Sequence, residues 1–190
     1  MTYKDAVSLV LDLIENATEA NPIVIAIDGR SASGKTTFAK EISQITGVSV
    51  IHTDDFCRPR DEKGNLAISQ FDGNFDIERF YKEAVCGIKS RKGFEIGIFD
   101  CSKGCISHRN KYPKSNCYIV EGAYSHNPKL GDYATLKLFF NVDKIIQQER
   151  ILKRNGKDAL EKYLSVWIPA EERYIEHYNI NEKSNHIINN

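Results

Sequence analysis

An apolar run followed at once by a glycine- and serine-rich stretch constrains the fold of this chain more than any other feature. The run is IVIAI at residues 23–27, and the stretch is GRSASGKTT at residues 29–37. A continuous run of mostly β-branched residues predicts a strand buried on both faces, as in the centre of a parallel sheet. The stretch matches the pattern G-x-x-x-x-G-K-T of a phosphate-binding loop, set between a strand and a helix.

The residue types in this stretch suit the binding of a phosphate group. Glycines let the backbone curl closely enough for its N–H groups to point at the anion. The helix predicted to begin at Lys35 directs its N-terminal dipole toward the same place. We expect Lys35 to reach the β- and γ-phosphates of a nucleotide and the Thr36 hydroxyl to bind Mg²⁺. The residues predicted to contact the nucleotide are Gly29, Arg30, Ser31, Ala32, Ser33, Gly34, Lys35, Thr36 and Thr37.

A nucleoside triphosphate is the expected ligand, and a plain glycine–serine turn with a solvated lysine is the alternative. GTPase switches need a guanine-reading N-K-x-D, and neither NKYP at residues 110–113 nor NGKD at residues 155–158 fits it. Mechanical ATPases are usually larger or assembled in arrays. A small-molecule kinase fits a chain of 190 residues with a charged C-terminal region.

Strands alternate with helices along the chain, which predicts one three-layer α/β domain over residues 1–190 with a parallel sheet. The predicted strands are residues 23–27, 48–53, 117–122, 136–141 and 185–189. The predicted helices are residues 3–18, 36–46, 77–90, 143–155 and 157–178, the last of them broken near Pro169. Residues 56–75 are predicted to form a loop, and the polar residues 91–116 carry no clear pattern.

Composition narrows the classes of partner. Basic and acidic residues balance at 26 each, which argues against nucleic acid as a partner. No run reaches 18 apolar residues, so no membrane segment is expected. The cysteines are odd in number and irregularly spaced, which indicates free thiols in a reducing cytoplasm rather than disulfides or zinc. They are Cys57, Cys86, Cys101, Cys105 and Cys117.

Acidic residues follow two more of the predicted buried strands. Asp54 and Asp55 end the second strand, and Glu121 ends the third. Because the carboxyl ends of parallel strands form the ligand crevice, we expect these acids to face the phosphate loop. A carboxylate there can accept the proton of an attacking hydroxyl or hold Mg²⁺. The alternatives are a capping pair at a turn for the two aspartates and a satisfied strand-end carboxylate for Glu121.

These stretches together resemble the uridine kinase-like family of phosphate-loop kinases, whose relatives include pantothenate kinase, phosphoribulokinase and nicotinamide riboside kinase. The family's loop reads G-x-S-x-S-G-K-T, and its next strand ends in an aspartate, a small residue and an aromatic, as in TDDF here. The resemblance runs over residues 23–189. It implies a phosphate-loop NTPase fold with a five-stranded parallel sheet in the order 2-3-1-4-5, a helical lid near residues 150–158, and ATP with Mg²⁺.

The resemblance also assigns roles to single residues. It makes Asp54 rather than Asp55 the base that accepts the acceptor's proton. The family's V-E-G recurs here with Glu121, which is thereby implied in metal binding beside the loop threonine. Its lid recurs in ERILKRNGKD, so that Arg150 and Arg154 are implied to close over the phosphates. Pairing of these arginines with nearby acids on a solvated helix is the alternative.

Acceptor residues are implied in the same way. The family's N-F-D recurs here and ends at Asp76, which we expect to bind a ribose diol, with a helix N-cap as the alternative. Its Y-D-F and downstream histidine and arginine are matched loosely by FDCSKGCISHR. That stretch has Phe99 in place of the tyrosine and Cys101 in place of the second aromatic, which leaves the exact acceptor open. The residues implied there are Phe99, His108 and Arg109.

The expected function is ATP-dependent phosphorylation of a hydroxyl on a nucleoside-like small molecule, first of all the 5′-hydroxyl of uridine or cytidine. Asp54, Lys35 and Arg150 are the expected catalytic residues. Kinases of nicotinamide riboside, pantothenate or a sugar phosphate stay open, as does a nucleotide-binding regulator with slow hydrolysis. A nucleic-acid-end kinase is disfavoured by the neutral charge balance. A homo-oligomer stays open.

Two further patterns are expected to have structural rather than functional roles. His52 lies on a predicted buried strand and is expected to be a core histidine rather than a ligand. Four aromatic residues at helical spacing near the C-terminus are expected to pack one helix face onto the core, with base stacking as the alternative. They are Tyr163, Trp167, Tyr174 and Tyr178.

Overall fold

The computed structural model describes residues 1–61, 64–65 and 67–190, and its centre is a five-stranded parallel sheet. The strands of this sheet are β1 (Ile23–Gly29), β2 (Ser49–His52), β5 (Cys117–Glu121), β6 (Leu136–Asn141) and β7 (His186–Asn189). They lie in the order β2-β5-β1-β6-β7. Numbered among themselves, these strands follow the order 2-3-1-4-5, so the predicted fold class and strand order are confirmed.

Helices cover both faces of this sheet. The α-helices of the described residues are α1 (Tyr3–Glu15), α2 (Lys35–Thr46), α3 (Ile77–Phe80), α4 (Cys86–Lys89), α5 (Lys144–Asn155), α6 (Lys157–Lys162), α7 (Ile168–Tyr178) and α8 (Ile180–Lys183). A π-helical turn joins α3 to α4, and a second, Tyr163–Trp167, joins α6 to α7.

The central strand β1 is buried along its whole length, as its apolar run predicts. Its side chains alternate between two core clusters. Ile25 and Ile27 belong to the cluster that contains Phe38 of α2. Ala26 belongs to the cluster that contains Tyr174 of α7. The end of β1, where the phosphate loop begins, is therefore packed between two layers.

The sequence predicted a break near Pro169 in the helix over residues 157–178. The structure shows no break there. The helix runs on through the π-helical turn, in which the Ile168 N–H donates to the Tyr163 carbonyl. Pro169 then lies in the first turn of α7. Because proline has no N–H to donate, a wider turn just before it lets the helix continue.

The polar region that carried no clear pattern contains a hairpin. β3 (Phe94–Asp100) pairs with β4 (Cys105–Tyr112) in an antiparallel two-stranded sheet. The described part of residues 56–75 is loop apart from the end of a 3₁₀ turn (Thr53–Phe56) and two isolated bridges. For residues 62, 63 and 66 the loop prediction lies outside the described residues.

A buried aspartate fixes the end of β1. Asp28 accepts from the Gly29 N–H at 2.7 Å through one carboxylate oxygen. Its other oxygen accepts from the Tyr174 hydroxyl at 2.7 Å and the His126 N–H at 2.9 Å. Since these contacts satisfy a carboxylate that is 1% exposed, they hold the start of the phosphate loop to α7.

The cysteines are all unpaired thiols, as predicted. Within the part of the chain that the structure describes, no helix is long and apolar enough to span a membrane.

Candidate active site

The phosphate loop takes a backbone path that requires glycine at its start. Gly29 has a φ of +140°, and a Cβ there would lie 2.0 Å from the Phe140 carbonyl oxygen. A side chain is excluded both by the backbone conformation and by β6. Gly34, with a φ of +98°, precedes α2 without a side-chain hydrogen bond to the first turn. The start of α2 is thus open to an anion.

Lys35 is the buried cation of this loop. Its Nζ donates to the carbonyls of Gly29 and Arg30 at 2.8 Å each, and the side chain is largely buried. Burial raises the pKa of Asp54 and Glu171, and the charge of Lys35 partly offsets this effect. The same charge helps the hydrogen bond from His52 to lower the pKa of Glu121. Lys35 therefore lies where the phosphate charge of a nucleotide and the acids of the site meet.

Two cavities meet at the phosphate loop. The inner cavity, of about 420 Å³, is lined among others by Asp54, Glu121 and Glu171. The outer cavity, of about 540 Å³, is lined among others by Thr37 and Arg150. Both volumes are within the range of small-molecule sites. The residues that line both cavities are Ala32, Lys35, Thr36 and Arg154.

The two aspartates after β2 have different positions. Asp54 lines the inner cavity opposite the loop residues, and Asp55 is not among the lining residues. Burial by the surrounding walls and the charge of Glu121 raise the pKa of Asp54, although its side chain faces the open space of the cavity. Burial also raises the pKa of Asp55. Of the pair, Asp54 has the position that a general base needs.

Glu121 links the loop to the end of β2. Its carboxylate accepts from the Thr36 hydroxyl at 3.0 Å and lies 2.8 Å from His52 Nδ1. Burial alone raises the pKa of Glu121, but the hydrogen bond from His52 and the charge of Lys35 outweigh it and lower the pKa. The same hydrogen bond raises the pKa of His52. The prediction of a core histidine is wrong, since the His52 side chain is 43% exposed and paired with a site carboxylate.

The neighbouring oxygens of Thr36 and Glu121 fit Mg²⁺. Magnesium prefers hard oxygen ligands and usually takes one or two from protein, with waters and substrate phosphates completing its octahedron. Among the described residues, no group of three or more histidine, cysteine or acidic side chains forms a metal site. Thr36 and Glu121 supply two adjacent oxygens of this kind.

The lid arginines reach toward the loop. Arg150 Nη1 donates to the Ala32 carbonyl at 3.1 Å. Arg154 donates to Asn155 at 2.6 Å and to the Tyr163 hydroxyl at 3.4 Å. In the described part of the chain neither forms an ion pair within 4.0 Å. Only Arg150 thus donates to the loop, and the lid role of the two arginines stays a prediction.

We expect Arg150→Ala to lower kcat by about 10²-fold, because a guanidinium at the loop stabilises charge that develops during phosphoryl transfer. ATP affinity without acceptor should fall much less. Steady-state kinetics and calorimetric ATP titration measure the two effects. Lys153→Ala, an exposed cation on the same helix, is the control. Equal kinetics in both variants would favour a merely solvated Arg150.

Two loop residues expected to contact the nucleotide are held instead by α7. Arg30 donates to Glu172 at 2.6 and 2.8 Å. The Ser31 N–H donates to Glu171 at 2.9 Å, and the Ser31 hydroxyl donates to the same carboxylate. The Arg30 side chain thus has a structural partner. Ser33 is fully buried, with no partner for its hydroxyl among the described residues.

The three residues of the hairpin that are implied in acceptor binding do not all lie at the cavity. Phe99 lines the inner cavity, whereas His108 and Arg109 do not. His108 contacts the Ser107 hydroxyl at 2.8 Å, and Arg109 pairs with Glu95 of the hairpin and with Glu83 of the π-helical turn between α3 and α4. An acceptor role for His108 and Arg109 therefore stays a prediction without a cavity contact.

Asp76 caps α3. Its Oδ1 accepts from the Arg79 N–H at 3.1 Å, and its Oδ2 lies 3.8 Å from the Arg79 guanidinium. It is not among the residues that line the inner cavity. These contacts support the alternative interpretation of Asp76 as the N-cap of α3. The ribose-binding role of Asp76 stays a prediction that no such contact supports.

Asp76→Ala is therefore expected to lower the free energy of unfolding by about 0.5–2 kcal/mol, the usual cost of losing a cap. The acceptor KM should not change. Denaturant unfolding and acceptor titrations measure the two quantities. A sharp rise in acceptor KM at unchanged stability would restore the ribose role.

Sequence reasoning missed several cavity residues. Tyr163 and Trp167 line the inner cavity, so only Tyr174 and Tyr178 of the aromatic set pack on the core as predicted. Glu171 had no sequence signal, because its partner lies 140 residues away. The other missed lining residues include Cys57, Arg58, Arg60, Asn74 and Lys162.

Comparison with known proteins finds kinases among the relatives of this chain. No family model matches the chain. The uridine kinase of Chlamydia pneumoniae is 30% identical over 178 aligned residues, which cover 81% of this chain and 76% of that protein. Uridine kinase-like protein 3 of Arabidopsis thaliana is 26% identical and covers 86% of this chain, which spans 38% of that longer protein.

Solved structures share the fold at low identity. One described as a possible uridine kinase from Bacillus stearothermophilus has a TM-score of 0.70 and 20% identity, with 97% of this chain and 98% of that chain covered. The D-glycerate 3-kinase of Cryptococcus neoformans has a TM-score of 0.65 and 11% identity, with 98% and 95% covered.

The fold and the loop define a phosphate-loop kinase, for which a nucleoside triphosphate of the ATP type is the phosphoryl donor. The chain belongs to the uridine kinase-like family of these kinases.

Proposed function

We propose that this protein transfers the γ-phosphoryl group of ATP to a hydroxyl of a nucleoside-like acceptor, with the 5′-hydroxyl of uridine or cytidine as the first candidate. One observation carries the proposal: Asp54 lines the same cavity as Lys35 and Thr36. A base and the phosphate-binding residues thus face one space of small-molecule size. Relatives named as uridine kinases support the choice of acceptor.

Asp54 accepts the proton in this mechanism. The acceptor oxygen forms a bond to the γ-phosphorus as the bond from that phosphorus to the β,γ-bridging oxygen breaks. The hydroxyl proton passes to the Asp54 carboxylate, and ADP leaves with the bridging oxygen. Asp55 is placed for a supporting role, because its carbonyl accepts from Arg79 and its side chain is outside the cavity lining.

Cationic side chains of the loop and the lid stabilise the negative charge of the phosphates. Lys35 leaves the Gly29 and Arg30 carbonyls to meet the phosphates, and Arg150 and Arg154 approach from the lid. Thr36 and Glu121 would hold Mg²⁺, which supplies charge neutralisation on the phosphates when bound. Lid closure excludes water, which would otherwise compete as an acceptor.

A second candidate acceptor carries a carboxylate or a phosphate. The inner cavity is lined by Arg58, Arg60 and Lys162 in addition to the loop lysine and Arg154. A neutral nucleoside does not need these further cations, whereas an anionic acceptor is bound by them. Pantothenate, glycerate and sugar phosphates belong to this class.

An ATP-consumption screen separates the candidates. The panel contains uridine, cytidine, nicotinamide riboside, pantothenate, glycerate and a sugar phosphate, with acceptor-free reactions as the baseline. Consumption that depends on uridine or cytidine supports the first candidate. Consumption with anionic acceptors alone, lost in Arg58→Ala, supports the second. Slow hydrolysis that no acceptor accelerates would indicate a nucleotide-binding regulator and overturn both.

A further inference from the structure

Two adjacent glutamates of α7 hold two adjacent residues of the phosphate loop. Glu172 binds the Arg30 guanidinium through both oxygens, at 2.6 and 2.8 Å, and Asn141 accepts from the same guanidinium at 2.5 Å. Glu171 accepts both the N–H and the hydroxyl of Ser31. Four hydrogen bonds therefore join one turn of α7 to one corner of the loop.

Glu171 is a buried acidic residue at a site that is expected to bind negatively charged phosphates. It is 7% exposed, and it lines the inner cavity beside Lys35, where the phosphates of a nucleotide add more negative charge. A buried carboxylate is costly unless its hydrogen bonds are made, and an apolar side chain commonly stabilises a fold as well or better. Packing alone does not explain a glutamate here, whereas holding Ser31 does.

The helix that carries these glutamates also leads out of the lid. α6, the π-helical turn and α7 follow each other without interruption over residues 157–178. In the π-helical turn, Tyr163 accepts from Arg154 at 3.4 Å and lines the inner cavity together with Trp167. One continuous helix thus connects the predicted lid to the phosphate loop.

We propose that Glu171 and Glu172 are positioning residues that fix Arg30 and Ser31 to the lid helix, so that loop geometry and lid position are set together. In this arrangement the Ser31 N–H and hydroxyl are both bound by Glu171 at the wall of the inner cavity. The kinetic part of the test rests on the proposed kinase function, whereas the binding and exchange parts need only ATP.

Removal of the carboxylate tests the positioning role. We expect Glu171→Ala to lower kcat/KM for ATP by about 10–100-fold, because a small displacement of positioning groups costs that much. Glu171→Gln should recover most of the activity, since an amide can still pair with both the N–H and the hydroxyl of Ser31. The double variant Glu171→Ala, Ser31→Ala should lose no more than Glu171→Ala alone.

A matched control separates positioning from general damage to the helix. Glu176→Ala removes an exposed glutamate from the same helix and should behave as wild type. Circular dichroism and thermal unfolding check that each variant folds. ATP affinity is measured by calorimetry without acceptor, so that a protein without kinase activity still gives a result.

Hydrogen exchange tests the coupling itself. ATP is expected to protect the lid, residues 150–158, and the helix that follows it up to residue 167 from exchange in the wild type. That protection should be weaker in Glu171→Ala, Glu172→Ala, although ATP is supplied at saturating concentration. Equal protection in wild type and double variant would overturn the coupling. ATP affinity and kcat within twofold of wild type in a folded Glu171→Ala would overturn the positioning role.

Discussion

Lys35→Ala is expected to abolish nearly all turnover and most ATP affinity. The lysine supplies the buried positive charge of the loop, and its Nζ lies 2.8 Å from two loop carbonyls, within reach of bound phosphates. Loss of one preorganised charge at a reacting phosphate lowers kcat by about 10²–10³-fold. ATP affinity should fall as well, because we expect Lys35 to contact the phosphates in both the ground state and the transition state.

Lys40→Ala is the matched control, since Lys40 is an exposed lysine on the same helix. Calorimetry with ATP and steady-state kinetics measure the affinity and the turnover. Thermal unfolding checks that the loop still folds without the lysine. A folded Lys35→Ala protein with wild-type turnover would show that this loop is not the donor site.

The sequence predicts the sheet well because its central strands are buried on both faces. β1 and β5 are buried at every position, so their runs are continuous and apolar. The loop motif then places the phosphate site at the end of β1. The strand order came from the family resemblance, since alternation of strands and helices does not by itself order a sheet.

The sequence does not predict the structural role of residues whose partners lie far away in the chain. β4 is exposed at all positions but Tyr112, so it has no apolar alternation that would predict a strand. His52 follows an apolar run, yet it ends an outer strand of the sheet in register with Glu121. The partners of Glu171 and Glu172 lie about 140 residues away in the chain, and no local pattern links them.

Asp54→Asn is expected to lower turnover by about 10²–10⁴-fold, the usual contribution of a general base. ATP binding should be retained, because the phosphates are held by the loop and the lid. Asp55→Asn should cost much less, since Asp55 does not line the inner cavity. If Asp55→Asn is the more damaging variant, the base has been assigned to the wrong carboxylate.

The pH dependence of kcat/KM provides a second readout of Asp54. Burial and the charge of Glu121 raise the pKa of Asp54, so the carboxyl binds its proton at higher pH than an aspartate in solution. A base must be deprotonated, and activity is therefore lost as pH falls through this raised pKa. The acid limb of the pH profile should lie above the usual pKa range of aspartate and disappear in Asp54→Asn.

The raised pKa of Asp54 in the folded state also means that its carboxylate opposes folding once pH exceeds the unfolded-state pKa. Asp54→Asn should thus unfold at no lower temperature than wild type near neutral pH, and a large loss of stability would contradict this account of its low activity.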